Sequence, residues 1–541
     1  MGKKLQIALL LFLLSFSVYL FCQFSGFQGY EDETYNRIVK NLETGEFKTA
    51  RSGYAQTLLE TPFVLKGQIM GSILGVDHAK ISQLYALFYN PFVTALSVAI
   101  IFLIFVLYVG KRRAFWLSLI YAFGTMAFPY ASIGMEPTAV LFILLSVYFL
   151  FLSGRNVPWH IPTKYYLALS GLFYFLLFFS KAYYFVTGLA FIAYLYLLDS
   201  SSVKKFIKHV LLFFLPLVAI IPVYLLANKY NFGVYFGGQY KLSNELFGGE
   251  NPIFGIYGLL LSFGKSIFIY VPVLILSVIF FPRFYRKYPK EAIFVLIYSF
   301  SLITFISQIH WWSDETWGPR YLLSLSAIGL LPLITLPFAT PVLSFRPLSR
   351  DPERLLGKKR LNPRVSQGSP EDDNRERVSI SKNRIKVLAF GLILTASFFF
   401  QLLGSLVRYD VFPYSFYEIY GTTGYNVLAS QEYQYIPQFA PYFVNYQLIK
   451  NKFFGRNKPL DYKIIYSPPM EMAATERGKE VTKKITYDNN KYQAHAINFW
   501  WMNLPGVPAY KLLGIFVLIF AGLISFAIHL SSSSSTRGSK E

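Results

Sequence analysis

Long apolar runs broken by short polar connections set the pattern of this chain. A helix needs about 20 apolar residues to cross the ~30 Å hydrocarbon core of a bilayer. At that window the sequence offers about twelve candidate spans. They lie at 5–24, 84–109, 114–131, 137–153, 165–180, 183–198, 210–227, 267–282, 291–308, 321–341, 387–407 and 511–530. The expectation is an all-α polytopic membrane protein. Lys3 and Lys4 precede the first run as they would in a secretory signal, but the run is longer than the apolar region of such signals. Bulky Leu20 and Phe21 before Cys22 also spoil a small-residue cleavage site, so the run reads as an uncleaved span.

The polar stretches divide the chain. Residues 1–341 are expected to form a ten-span core. Residues 342–386 are rich in Arg, Ser and Pro without an apolar period, which predicts a basic disordered cytoplasmic linker. Over 387–530 two spans flank 408–510, where many Tyr, Phe and Ile residues stand among turn signals such as Asp488-Asn489-Asn490 and Pro468-Pro469. That composition predicts a small extracytoplasmic module. Residues 531–541 read as a disordered tail. No internal repeat is apparent, which counts against transporters built from duplicated halves.

Charge changes the picture only in its placement. The 541 residues carry 51 Lys and Arg against 29 Asp and Glu, a net charge of +22. In a soluble chain that excess would suggest nucleic-acid binding. Here 54% of residues are hydrophobic and 15% charged, against about 25% charged in soluble domains, and the mean hydropathy is +0.40. Alternating the spans from a cytoplasmic N-terminus puts Lys3-Lys4, Lys111-Arg112-Arg113, Arg155, Lys164, Lys204, Lys205, Lys208, Arg283, Arg286, Lys287 and Lys290 inside. That is the bias expected of short cytoplasmic loops. The long loops at about 25–83, 228–266 and 408–510 then fall outside. The charge is a topology signal, and no nucleic-acid partner is expected. One cysteine, Cys22, excludes an intramolecular disulfide framework and a Cys-based zinc site. The His residues lack zinc-ligand spacing.

Candidate chemistry clusters in the outer loops. In Tyr30-Glu31-Asp32-Glu33-Thr34-Tyr35 three carboxylates open a helical pattern whose apolar face is Tyr35, Ile38, Val39 and Leu42, with Gly45 as its stop. The pattern predicts a helix lying along the membrane surface. The acids fit either first-turn residues favoured by the helix dipole or a general base at the membrane boundary. Glu136, before Pro137, fits either a helix cap or a site acid, because an acid so near hydrocarbon needs a partner or a wet cavity. Lys181 fits a snorkelling lysine or a phosphate ligand. Arg320 follows Gly318-Pro319 in a stretch that also holds His310, Asp314, Glu315 and Tyr321. Its guanidinium suits bidentate phosphate recognition. Gly258…Gly264-Lys265-Ser266 imitates a nucleotide phosphate loop, but its first glycine is one residue too distant.

Taken in order, these segments resemble the GT-C superfamily of polyprenyl-phosphate-sugar-dependent glycosyltransferases. The nearest branch is that of bacterial protein O-mannosyltransferases and lipid A aminoarabinose transferases. The resemblance rests on Asp32-Glu33 with Tyr35 and Leu42…Gly45, on Glu136-Pro137, on Lys181, on Ser262 to Phe268 with Tyr270 and Pro272, and on Trp317-Gly318-Pro319-Arg320-Tyr321-Leu322. Asn498-Phe499-Trp500-Trp501 is similar to a C-terminal motif of the group. Phe263, Ser266 and Ser324 depart from the usual residues, and Glu31 adds an acid before the expected pair.

The resemblance implies a GT-C-like fold and a multi-pass enzyme of the bacterial inner (cytoplasmic) membrane that builds cell-envelope glycan. It implies inverting transfer of a sugar from a polyprenyl-phosphate donor to an acceptor hydroxyl on a glycan, lipid or protein. Asp32 is then the leading general base and Glu33 the second. Lys181, Arg320 and Lys265 would neutralise the leaving phosphate, where negative charge develops. Glu136 would orient the acceptor or help hold a divalent cation, with His310, Asp314 and Tyr321 lining the site. Metal dependence differs among such enzymes. Two other classes compete: a polytopic transporter or lipid-linked glycan flippase, and a non-catalytic assembly protein that anchors a partner through 408–510.

Overall fold

The computed structural model describes residues 2–27, 31–50, 53–134, 136–155, 162–199, 202–235, 252–309, 316–337, 370–408, 440–454, 460–466, 479–485 and 498–503, with isolated positions 516 and 522. The chain is predominantly helical. Among the described residues five helices are long and apolar enough to cross a membrane: Gly2–Phe21, His78–Phe105, Val203–Phe232, Pro289–Ile306 and Leu388–Leu406. Lys111–Gly124 and Ala127–Ile133 make a sixth if the pair, bent by 50°, is one span. Shorter apolar helices cover Pro137–Ser153, Thr163–Phe179, Ala182–Leu198, Pro252–Leu261 and Arg320–Thr335. The protein is a helical membrane protein. The expected span at 511–530 lies outside the described residues apart from positions 516 and 522, both helical.

The first elements are α1 (Gly2–Phe21), α2 (Glu31–Thr44), α3 (Tyr54–Leu74), α4 (His78–Leu87) and α5 (Tyr89–Phe105). Helix α2 ends before Gly45, where the sequence puts its stop. Its apolar face is covered by protein: Tyr35 and Ile38 bury themselves against Val64 of α3 and Ala86 of α4. Leu42, on the same stripe, stays exposed. Helices α3 and α4 form a hairpin that the span pattern does not reveal. Asp77 caps α4, accepting from the N–H groups of Ala79 at 3.0 Å and Lys80 at 3.4 Å. Those backbone bonds, with Lys80 nearby, lower its carboxyl below the usual range.

The bent pair α6 (Lys111–Gly124) and α7 (Ala127–Ile133) leads to α8 (Pro137–Ser153), α9 (Thr163–Phe175) and two 3₁₀ turns, Leu176–Phe179 and Ala182–Thr187. Then come α10 (Gly188–Leu198), α11 (Val203–Phe214), α12 (Leu217–Phe232), α13 (Pro252–Leu261), α14 (Ile267–Tyr270), α15 (Val273–Lys287) and α16 (Pro289–Ile306). Past a 3₁₀ turn at Arg320–Leu322 lies α17 (Leu323–Ile328). Helices α1, α5, α6 and α8 share one apolar core with α15 and α16. Several polar side chains inside it find protein partners, as a water-free environment favours. Tyr19 donates to the Ala122 carbonyl at 2.8 Å. Tyr298 donates to the Ser324 hydroxyl at 2.7 Å.

Helix α18 (Pro370–Leu406) starts before the apolar run 387–407, so 370–386, expected within the disordered linker, are helical. Proline at the first position followed by Glu371, Asp372 and Asp373 is a helix start that favours this extension. Residues 342–369 lie outside the described set. Of the expected module at 408–510, α19 (Pro441–Phe454) and an antiparallel pair, β1 (Leu460–Tyr466) with β2 (Lys479–Ile485), are described. Leu460 pairs with Ile485 and Tyr466 with Lys479.

Candidate functional site

The acids at the start of α2 face different ways. Glu31, Thr34, Tyr35 and Ile38 share the buried face, whereas Asp32 is exposed and Glu33 half-buried. Asp32 accepts from the N–H of Glu33 at 2.7 Å. Glu31, 4% exposed, accepts at 2.6 Å from the side-chain amide of Asn90 in the first turn of α5. The third wall is Gly134, at the end of α7. Its φ of +60° suits glycine, and a Cβ there would stand 2.5 Å from Glu31 Oε1 and 2.7 Å from Asn90 Nδ2. Helix α7 therefore ends on a residue without a side chain, which lets the Glu31 carboxylate approach the backbone.

Glu136 begins α8, two residues beyond Gly134, with no exposed surface. Tyr183 donates to its Oε2 at 2.6 Å, and Lys181 Nζ is 3.8 Å from its Oε1. Both partners come from the connection between α9 and α10. The Tyr183 ring meets Tyr321 edge-on at 5.4 Å. Arg320 donates to the Tyr321 hydroxyl at 2.6 Å and lies over that ring, 4.6 Å from its centroid. A chain of contacts thus runs from Lys181 through Glu136 and Tyr183 to Tyr321 and Arg320, and Glu31 packs beside Gly134, two residues before Glu136.

Lys265 is placed differently. It has no exposed surface, and its ammonium donates to the carbonyls of Thr316 at 2.8 Å and Gly318 at 2.9 Å. Tyr130 donates to the intervening Trp317 carbonyl at 2.9 Å. Gly318, at φ +59°, packs against the Tyr270 ring, where a Cβ would stand 2.8 Å from the ring carbon. Lys265 therefore braces the loop that carries Arg320. His310 and Asp314 lie outside the described residues.

Glu60 of α3 and Asn90 carry no sequence motif, yet both belong here. Glu60 is 3% exposed and accepts from Gln56 at 3.3 Å. Burial, and next the nearby Glu31 carboxylate, push its carboxyl well above the usual carboxylate range, with the Gln56 bond pulling the other way. Glu60 precedes Val64 by one turn, on the stripe of α3 that meets α2. Among the described residues no group of three or more His, Cys, Asp or Glu side chains is arranged to hold a metal ion. The arrangement offers buried carboxylates to take a proton, beside a lysine and an arginine suited to an anionic group. No protein-family model matches the chain, and no curated protein matches it.

Proposed function

We propose that the protein is a GT-C-type glycosyltransferase with about twelve spans, moving a sugar from a polyprenyl-phosphate donor to an acceptor hydroxyl. The reaction belongs at the outer face of the bacterial inner membrane, with the N-terminus cytoplasmic. The observation that carries this reading is the contact series Lys181–Glu136–Tyr183–Tyr321–Arg320, drawn from distant segments, with Glu31 packed beside Gly134 two residues before Glu136.

The chemistry follows from those positions. An acceptor hydroxyl gives its proton to a carboxylate while its oxygen bonds to the anomeric carbon. The bond from that carbon to the phosphate oxygen breaks, and its electron pair leaves on the polyprenyl phosphate. One displacement inverts the anomeric centre. Glu31 is the better-supported base, being buried and oriented by Asn90. Asp32 and Glu33 stand next to it on the exposed side of the turn. Arg320 and Lys181 meet the charge that grows on the leaving phosphate, and Glu136 holds Lys181 and Tyr183 in place.

The test is transfer of labelled sugar from polyprenyl phosphate in membranes containing the protein. Arg320→Gln and Glu31→Gln should each abolish transfer while the protein stays inserted. Full transfer by both variants would end this reading.

A further inference from the structure

The segment that feeds α2 is held by the far end of the chain. Helix α1 ends with carbonyls that lack intrahelical partners, as every helix does. The indole N–H of Trp500 donates to the Leu20 carbonyl at 2.7 Å, and that of Trp501 to the Phe21 carbonyl at 2.8 Å. The backbone continues the grip: Trp500 N–H donates to Gln23 O at 3.1 Å, and Ser25 N–H to Asn498 O at 2.9 Å. Phe21 stacks on Trp501 at 5.0 Å and Phe24 on Phe499 at 5.4 Å. From the end of α18, Arg408 donates to the Phe27 carbonyl at 3.1 Å. The same Trp500 ring meets Phe88 edge-on at 5.5 Å, two residues before the Asn90 that orients Glu31.

One cost stands against this closed arrangement. Gln23 has no exposed surface, and among the described residues both polar atoms of its side chain lack a hydrogen-bond partner. A buried amide in that state is destabilising, and opening would relieve it. The clasp is therefore closed against a standing penalty, so losing one of its bonds should shift it measurably.

We infer that Trp500, Trp501 and Arg408 are positioning residues that latch the 20–27 segment and thereby set Glu31 against Asn90. Its bearing on catalysis rests on the transferase reading above, whereas the latch itself does not. The C-terminal part of the chain then completes the site although it supplies none of its acids.

The protein carries its own reporter. Cys22, the single cysteine, lies beneath the clasp and is 5% exposed. The experiment uses the full chain in detergent, wild type against Trp501→Phe and Arg408→Met, which retain the stacked ring and the aliphatic stem respectively while removing the donor. Two rates are read: modification of Cys22 by N-ethylmaleimide, and amide exchange across α2. Loss of one hydrogen bond should speed both by on the order of tenfold, with the size-exclusion profile unchanged. The kcat for sugar transfer should fall while the KM for the donor holds. Unchanged Cys22 and α2 rates would overturn the latch. Faster rates with undiminished transfer would overturn its positioning of Glu31. Should Glu31→Gln and Arg320→Gln both prove fully active, the transferase reading fails, and the Cys22 and exchange rates still decide the latch.

Discussion

Lys265 donates to the Gly318 carbonyl at 2.9 Å from a position with no exposed surface, two residues ahead of Arg320. The ammonium sits on backbone oxygen, so its charge serves the shape of the loop. Lys265→Met would leave the Thr316 and Gly318 carbonyls without that donor. The Gly318 carbonyl keeps the Arg320 N–H at 3.1 Å, so the loss is that of hydrogen bonds from a charged donor, about 1.5–3 kcal/mol. Thermal unfolding in detergent should show a loss of that order, and the donor KM should rise as Arg320 shifts. A variant with wild-type stability and wild-type KM would show that the brace is dispensable.

Glu31 and Asp32 separate in a single experiment. Glu31→Gln keeps the Asn90 contact site but removes the proton acceptor, so transfer should fall by about 10²–10⁴-fold, the range of a general base. Asp32→Asn, on the exposed side of the turn, should retain transfer within about tenfold of wild type. The reverse ranking would return the base to Asp32.

The burial of Glu31 beside an exposed Asp32 was legible in the sequence. Glu31 precedes Tyr35 and Ile38 by four and seven residues, so the apolar periodicity already puts it on the inward face and turns Asp32 away. The motif match points to Asp32, which is exposed, because a motif fixes order along the chain and not rotation about a helix axis. Arg320, Lys181 and Glu136 were readable as charges isolated beside apolar runs. The role of Lys265 was not, since a brace on two carbonyls exists only after α14 and the 316–320 loop have met. Glu60 was hidden for a similar reason: α3 is too polar to register as a span and too apolar to read as a loop. The span pattern covers the five long apolar helices and misses α3, which buries Glu60 and Val64 but exposes Leu58, Ile69 and Ile73.

Gly134 should not tolerate a side chain. Its backbone, at φ +60° and ψ −174°, lies where other residues are strained by about 1–3 kcal/mol. An alanine Cβ would also stand 2.5 Å from the Glu31 carboxylate. Gly134→Ala should lower the unfolding temperature and reduce transfer further than an equally destabilising core substitution such as Val98→Ala. Equal losses of activity at matched stability would mean that Gly134 serves the fold alone.

Glu60 makes stability depend on pH in a definite direction. Burial raises its folded-state carboxyl well above the ordinary value of 4.5, with Glu31 adding to the rise. Below 4.5 both folded and unfolded chains hold the proton, and the residue adds no penalty. As pH climbs past that value the unfolded chain releases its proton while the folded chain keeps it, so the folded state loses ground until Glu60 itself ionises. Glu60→Gln supplies a permanently neutral side chain of the same shape that can still face Gln56. The variant should match wild type in acid and become the more stable protein as pH rises from about 5 towards 8. The measurement is unfolding temperature against pH for both proteins in the same detergent. Because Glu60 lies in α3, outside the candidate spans, the comparison does not depend on the lipid-facing helices. Parallel curves would mean that Glu60 holds no proton beyond the ordinary range, and that Glu31 is not its electrostatic neighbour.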